Sequence, residues 1–258
     1  MFNYQDLIIN LLVTLHRMLT KTQAIVLHSL KYGETRMIVD MFTRQYGRQS
    51  FIVSMPNSAK SKVKKQFFQP LSLLEIETDI RQKVQLQKLK EVRLAIPFVS
   101  IPFHPHKLSM ALFLAEFLYY ALRSEQRNEL LYDYVESSIL WLDGQDSRFA
   151  NFHLVFLLRL SRFLGFYPNL DHYRVGDYFD LRESVFLSVP PTHRDFLHPE
   201  EAEKVQLMMR MDFPTMHLFQ MSHQERNRLL EVSLLYYRLH LPDFPEMKSI
   251  SVLQELYA

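Results

Sequence analysis

The sequence predicts an α+β protein, with a small N-terminal β-barrel followed by an α-helical region that carries a β-hairpin. Three observations carry that reading. Apolar residues come in short β-rich runs as far as about residue 93, they switch to the helical period beyond a proline cluster at 97–105, and the sign of the charge changes at the same place. Between Met18 and Ser100 there are 14 Lys and Arg against 6 Asp and Glu, a net of +8, whereas residues 101–258 hold 15 against 21, a net of −6. A concentrated positive face raises the local concentration of polyanions, of which nucleic acid is the usual one.

Composition narrows the chemistry. The 258 residues, 48% hydrophobic and 22% charged, are enough for one large or two modest cores. There are five glycines, and neither G-x-x-x-x-G-K-[ST] nor G-x-G-x-x-G occurs, so a nucleotide-driven motor or a dinucleotide enzyme is not expected. The absence of cysteine excludes disulfides, thiolate nucleophiles, iron–sulfur clusters and Cys-based zinc sites, and it fits a reducing compartment. No apolar run is long enough to cross a bilayer, and no membrane partner is expected. The apolar stretch Leu7–Leu15 follows Asp6 rather than a basic segment and precedes no small-residue cleavage site, which argues against a secretory signal. Met18 opens a run that reads like a fresh start. Residues 1–17 are therefore expected to be an upstream extension, either poorly ordered or a loosely docked helix.

Five strands are expected, at Ala24–Leu27, Met37–Phe42, Ser50–Val53, Leu71–Ile76 and Val84–Leu89. Gly33 and Gly47 fall where the chain must turn, and glycine tolerates the positive φ such turns need. Between the third and fourth strands, Ser58–Phe68 packs Lys60, Lys62, Lys64 and Lys65 into six positions. Lysines this close repel unless an anion is near, although such a run also serves simply as a solvated loop. Lys31, Arg36, Arg44 and Arg48 lie on or beside the first three strands, with Tyr32, Tyr46 and Phe51 interleaved. Cations for phosphates and flat rings for bases are the ingredients of a single-strand groove. Rings in a barrel also build its core, so the cations are the better guide.

Beyond Pro105 the pattern is helical. Leu108, Ala111, Leu112, Ala115, Leu118, Tyr119 and Leu122 form one stripe, and further helices are expected over 128–142 and Phe149–Leu164. Gly165 and Pro168 stop the third. Pro199-Glu200-Glu201 opens a fourth, and the capping box Ser222-His223-Gln224-Glu225 begins a long helix to about His240. Asp177–Leu187 reads as a small hairpin. Asp171, Asp177 and Asp180 offer hard oxygen ligands but no further acidic signature, and turn-forming aspartates explain them better. His104 and His106 alone do not make a zinc motif, and no G-x-S-x-G elbow occurs, so no residue presents itself as catalytic.

The stretch Ala24–Gly47, with Lys31-Tyr32-Gly33-Glu34-Thr35-Arg36 at its turn and Phe42-Thr43 before Gly47, resembles the opening of the bacterial RecO recombination-mediator family. The resemblance continues through Lys60-Ser61-Lys62 and again at Phe156–Asp171, similar to the family's helix ending in Leu-Gly-aromatic-x-Pro-x-Leu. It implies an OB-fold DNA-binding domain over 18–98 and a helical domain over 99–258 with a hairpin subdomain around 171–195. It also implies a non-enzymatic role in DNA repair, in the bacterial cytoplasm at the nucleoid. That role is to bind single- and double-stranded DNA, anneal strands covered by single-strand-binding protein and help RecR load RecA, with RecF a further partner. Some relatives carry a four-cysteine zinc site near the positions of Tyr173 and Gly176. This chain has no cysteine, so neither metal nor cofactor is expected.

Residues and resemblance meet on the basic barrel. Lys31, Arg36, Arg44, Arg48, Lys60, Lys62, Lys64 and Lys65 are expected at phosphates, with Tyr32, Tyr46 or Phe51 stacking on bases. The acidic helical module suits proteins better than DNA. The acidic, phenylalanine-ended tail of single-strand-binding protein needs a cation over an apolar notch, for which Arg159, Arg162, Phe163 and Phe166 are the candidates. Their alternative role is the solvent edge of an amphipathic helix. Two other readings stay open: an OB-fold adaptor for RNA or single-stranded DNA, and a hydrolase using Asp177 or Asp180.

Overall fold

In a computed structural model of the chain, the structure describes residues 20–55, 63–81 and 84–255. The expected extension at 1–17, and Lys60 and Lys62, lie outside these residues. Five strands, β1 (Thr20–Tyr32), β2 (Arg36–Thr43), β3 (Gly47–Ser54), β4 (Leu73–Thr78) and β5 (Leu86–Ile96), close a barrel in the order β1-β2-β3-β5-β4. That is the strand order of an OB fold, with β3 and β5 the parallel pair. The period of two explains the closure. Met37, Val39 and Met41 on β2 turn inward to meet Ala24, Val26, Phe51, Val53, Leu74 and Ile76, while Ile38 and Asp40 turn outward. Burying side chains of this size stabilises by roughly 1.5–3 kcal/mol each. A short turn at Lys65–Phe68 sends Phe68 into the same core.

The strands are longer than the apolar runs that announce them, because ladder hydrogen bonds continue into exposed polar residues at both ends of β1. The fourth strand begins at Leu73 rather than Leu71. Leu71 adopts φ +63 and donates its N–H to Val26 O at 2.8 Å, a turn conformation that buries its side chain completely.

At the β2–β3 turn, Gly47 has φ +66, and a Cβ there would stand 2.5 Å from the backbone of Glu125 and Gln126. Arg48 N donates to Glu125 O at 3.1 Å. Residues 122–132, placed with the helices on sequence grounds, thus pack on the barrel and form one compact unit with the residues up to Pro97. The side-chain-free Gly47 is what allows the two backbones to approach so closely.

The second unit comprises residues 98–121 and 133 onward. Its helices are α1 (Pro105–Ala121), the part of α2 (Glu129–Gly144) from Asp133 onward, α3 (Phe152–Phe163), α4 (Pro199–Met209), α5 (His223–His240) and α6 (Ile250–Glu255), and a small sheet has the order β7-β6-β8. β6 is Tyr178–Asp180, β7 Val185–Leu187 and β8 Phe196–Leu197. The two-residue β8 is too short to show a period in the sequence. The capping box forms as expected, Glu225 N donating to Ser222 Oγ at 3.2 Å and Ser222 N to Glu225 Oε2 at 3.0 Å. α3 starts at Phe152 rather than Phe149, and Asn151 ahead of it does not cap it, because its Oδ1 accepts from Arg226 Nε at 3.0 Å while its Nδ2 donates to the carbonyls of Met216 and Phe219. Its fully buried His153 is pushed down to about 3 by burial and by the charge of Arg226, so it is neutral in the folded unit. Below the proline cluster, Asp143 accepts the N–H groups of Val99, Ser100 and Ile101 at 2.8–2.9 Å, and buried Lys107 donates to Ser100 Oγ at 2.6 Å. Among the described residues no helix is long and apolar enough to cross a membrane.

Candidate nucleic-acid interface

Strand pairing converts the linear positions of β1, β2, β3 and β5 into rows across the outer face of the barrel. Tyr32 stands opposite Arg36, and Arg36 opposite Ser54. The next outward row runs Leu30, Ile38, Ile52, Lys88, and the one after it His28, Asp40, Ser50, Leu86. Leu30 and Tyr32 are 55% and 52% exposed, far more than a core role would leave, and Arg36 and Lys88 are exposed at the two edges of the apolar strip. Neither cation forms an ion pair among the described residues. The face therefore combines an apolar floor, one accessible aromatic ring and cations at its margins, the combination that suits an unstacked, negatively charged chain.

Among the described residues of these rows the one carboxylate is Asp40, and it is neutralised locally. Asp40 receives the Ser50 hydroxyl, stands 3.2 Å from Arg48 Nη2 and 3.6 Å from His28 Nδ1. Burial alone would raise its carboxyl, but the hydrogen bonds from His28 and Ser50 and the charge of Arg48 outweigh burial and hold it below the usual carboxylate range.

The structure separates the expected cations into groups. Arg36 and Tyr32 come together, whereas Lys31 stands opposite the inward-facing Met37 and so projects from the other side of the hairpin. Lys64 and Lys65, which follow residues 56–62, are exposed, and Met55, which precedes them, donates its N–H to Thr35 O in the β1–β2 turn at 2.7 Å. Met55 and Val63, which flank 56–62, both pack against the barrel core.

Arg44 and Arg48 sit at the far end of β2 and β3 and are engaged there. Arg44 donates to Gln23 Oε1 at 2.9 Å, approaches Glu129 at 3.8 Å and lies 5.8 Å from the centre of the Tyr132 ring, while Arg48 serves Asp40. Tyr46 is half-buried in the same turn. Phe51 is completely buried in the core and has no face to offer a base. Lys88, Leu30, Ile38 and Ile52 were missed from sequence. The outward alternation Arg36, Ile38, Asp40 was a readable signal, but only the strand register places Ile52 and Lys88 beside it.

In the second unit, Arg159, Arg162 and Phe163 line a cavity of about 440 Å³ with Tyr134 and Tyr167. Tyr134 and Phe163 stack at 5.0 Å, and the Tyr134 hydroxyl is tied to Phe156 O at 3.0 Å. Arg159 is fixed by donating to Met211 O at 2.8 Å, and Arg162 lies 6.0 Å from the Tyr167 ring centre. Phe166 is not part of this cavity. It is buried against Tyr237 at 4.9 Å and stacked on His240 at 4.7 Å. Asp180 accepts the backbone N–H groups of Arg182 and Glu183, and Asp177 that of Arg174, so both close turns of the hairpin.

The fold and this face define an OB-barrel protein with an attached helical unit. The family model described as Recombination protein O N terminal matches residues 18–98, and that described as Recombination protein O C terminal matches residues 102–249. The DNA repair protein RecO of Phocaeicola vulgatus is 55% identical over 241 residues, covering 93% of this chain and all of that protein. The RecO proteins of Bacteroides fragilis and Porphyromonas gingivalis are 54% and 36% identical, again over 93% of this chain and the whole of each relative. The chain belongs to the RecO family of bacterial DNA repair proteins.

Proposed function

We propose that the protein is a recombination mediator that binds DNA on the outer face of β1, β2 and β3 and acts without catalysing a covalent step. The observation that carries this reading is the apolar strip Leu30-Ile38-Ile52 bordered by Tyr32, Arg36 and Lys88 on a family barrel. Cations at its edges neutralise phosphates, and the strip and ring accept bases that are not stacked in a duplex. Lys64 and Lys65, exposed after residues 56–62, are further cations available to duplex phosphates. Annealing needs no acid or base. It needs two strands held near each other with their repulsion screened, which is a proximity effect.

The cavity at Tyr134, Arg159, Arg162, Phe163 and Tyr167 supports a second contact, with the acidic, phenylalanine-ended tail of single-strand-binding protein. The guanidinium of Arg159, fixed on Met211 O, and the exposed one of Arg162 meet carboxylates, and the stacked rings meet the terminal phenyl group. Through this contact the protein reaches coated strands, and RecR, with RecF, completes the loading of RecA at the nucleoid. The test is annealing of complementary oligonucleotides coated with the cognate single-strand-binding protein, with and without its tail, over a salt series. Tail-dependent, salt-sensitive annealing is expected. Binding to bare strands that never overcomes the coat would replace the mediator reading with that of a generic nucleic-acid adaptor.

A further inference from the structure

A helix on the surface of a globular unit turns polar residues to water, and α1 does not. Most of it is buried, and its exposed positions are Pro105, Leu108 and Leu112, the two leucines at 41% and 40% exposure. Just ahead of it, Val99 and Phe103 are 74% and 80% exposed. His104 has extended backbone (φ −109, ψ 113), and its carbonyl accepts Leu108 N at 2.9 Å, which makes it the N-cap of α1. Phe103 and Leu108 therefore hold the two positions that a hydrophobic staple sets side by side, and Leu112 follows one turn further on. From residue 99 to residue 115 the one Lys, Arg, Asp or Glu is Lys107, and it is 1% exposed.

This apolar ridge is also held rigid. Asp143 takes the N–H groups of residues 99–101, and Lys107 donates to Ser100 Oγ and to the carbonyls of Asp143 and Gln145. Desolvating an ammonium and a carboxylate is costly. Buried charges that fix a turn whose own side chains stay in water serve presentation rather than packing. Exposed to this extent, Val99, Phe103, Leu108 and Leu112 leave roughly 400 Å² of apolar surface open, the size that marks an interaction site on a monomer. Set against itself, the ridge supplies about 800 Å² of apolar contact, whereas a small specific interface of about 1,200 Å², about 60% apolar, needs about 700 Å².

We propose that α1 and the turn before it are the contact between two copies of this chain. Two arguments select a copy over another partner. Residues 101–258 carry a net charge of −6, so two such units repel except where the surface between them is free of charge, as this ridge is. A charged partner would find nothing on the ridge to pair with. The contact is isologous, with Leu108 against the partner's Leu112 about a two-fold axis. The second argument is functional and rests on the DNA reading above. Annealing needs two strands near each other, and each chain brings one strand-binding face among its described residues, so a pair of chains supplies both.

The experiment measures the mass of the full chain by light scattering at micromolar concentration, together with annealing of bare complementary oligonucleotides and affinity for a short fluorescent oligodeoxythymidine. Twice the 30.9 kDa of one chain is expected. Leu108→Glu/Leu112→Glu sets carboxylates against carboxylates across the two-fold axis. It is expected to return the mass of one chain and to slow annealing about tenfold or more, with affinity for the short strand unchanged. Phe103→Ala, at a position too exposed to matter for folding, is expected to weaken the pair about tenfold or more, and it carries the test if the double variant does not fold. A wild-type chain of single mass, or a pair that persists undiminished in the folded variants, would overturn the proposal. A single-mass chain that binds the oligonucleotide removes the pair and keeps the DNA face. A pair that these variants split but that binds no oligonucleotide keeps the contact and removes the DNA face.

Discussion

Arg36 and Arg48 occupy opposite ends of the same strand pair and face the same side of the sheet, yet they are used in opposite ways. Arg48, whose side chain is 15% exposed, stands 3.2 Å from Asp40, and its backbone N–H holds Glu125. Arg36 is exposed, pairs with no carboxylate among the described residues and has an accessible tyrosine opposite. The difference shows that a cation's type and strand position do not make it a ligand for phosphate. What decides is whether a carboxylate lies within reach on the same face, because a partly buried acid claims the nearest guanidinium before any partner arrives.

The sharpest break of this comparison is at the engaged end. Gly47→Ala forces a side chain into left-handed backbone against the carbonyls of Glu125 and Gln126, and it is expected to cost more than about 3 kcal/mol in denaturant unfolding. A loss under about 1 kcal/mol would mean that residues 122–132 do not hold to the barrel in this way.

Asp40→Asn comes next. It leaves Arg48 without its carboxylate and is expected to cost about 2–3 kcal/mol at neutral pH. The folded Asp40 carboxyl is held below its ordinary value, so the ionised acid contributes stability that is fully present above about pH 4 and lost as pH falls through the folded value. The gap between wild type and Asp40→Asn should therefore close on acidification. A gap that stays constant to low pH would show that the carboxylate is not what Arg48 needs.

Arg36→Ala is the smallest change in stability and the most specific in function. Unfolding should shift by less than about 0.5 kcal/mol, while affinity for single-stranded DNA should fall about three- to tenfold at low salt. If stability fell as far as is expected for Asp40→Asn, the contrast between the two ends would be gone.

The barrel was legible in the sequence because its turns carry Gly33 and Gly47 and its apolar residues come in short β-rich runs on either side of them. The helical caps at Pro199 and Ser222 were legible for the same local reason. Partners distant in sequence were not. That Asp40 sits beside Arg48, that Ile52 and Lys88 extend the row of Leu30, and that Phe166 turns away from Arg159 and Arg162 all depend on register and packing.

The central claim is that DNA lies across the face edged by Arg36 and Lys88. It is tested most directly by the salt dependence of single-stranded DNA binding in wild type and in the Arg36→Ala/Lys88→Ala double variant. Each lost phosphate contact removes about 0.7 from the slope of log K against log salt on a single strand, so the double variant should bind more weakly with a slope shallower by about 1.4. An unchanged slope and affinity in a folded double variant would place the DNA elsewhere on the protein.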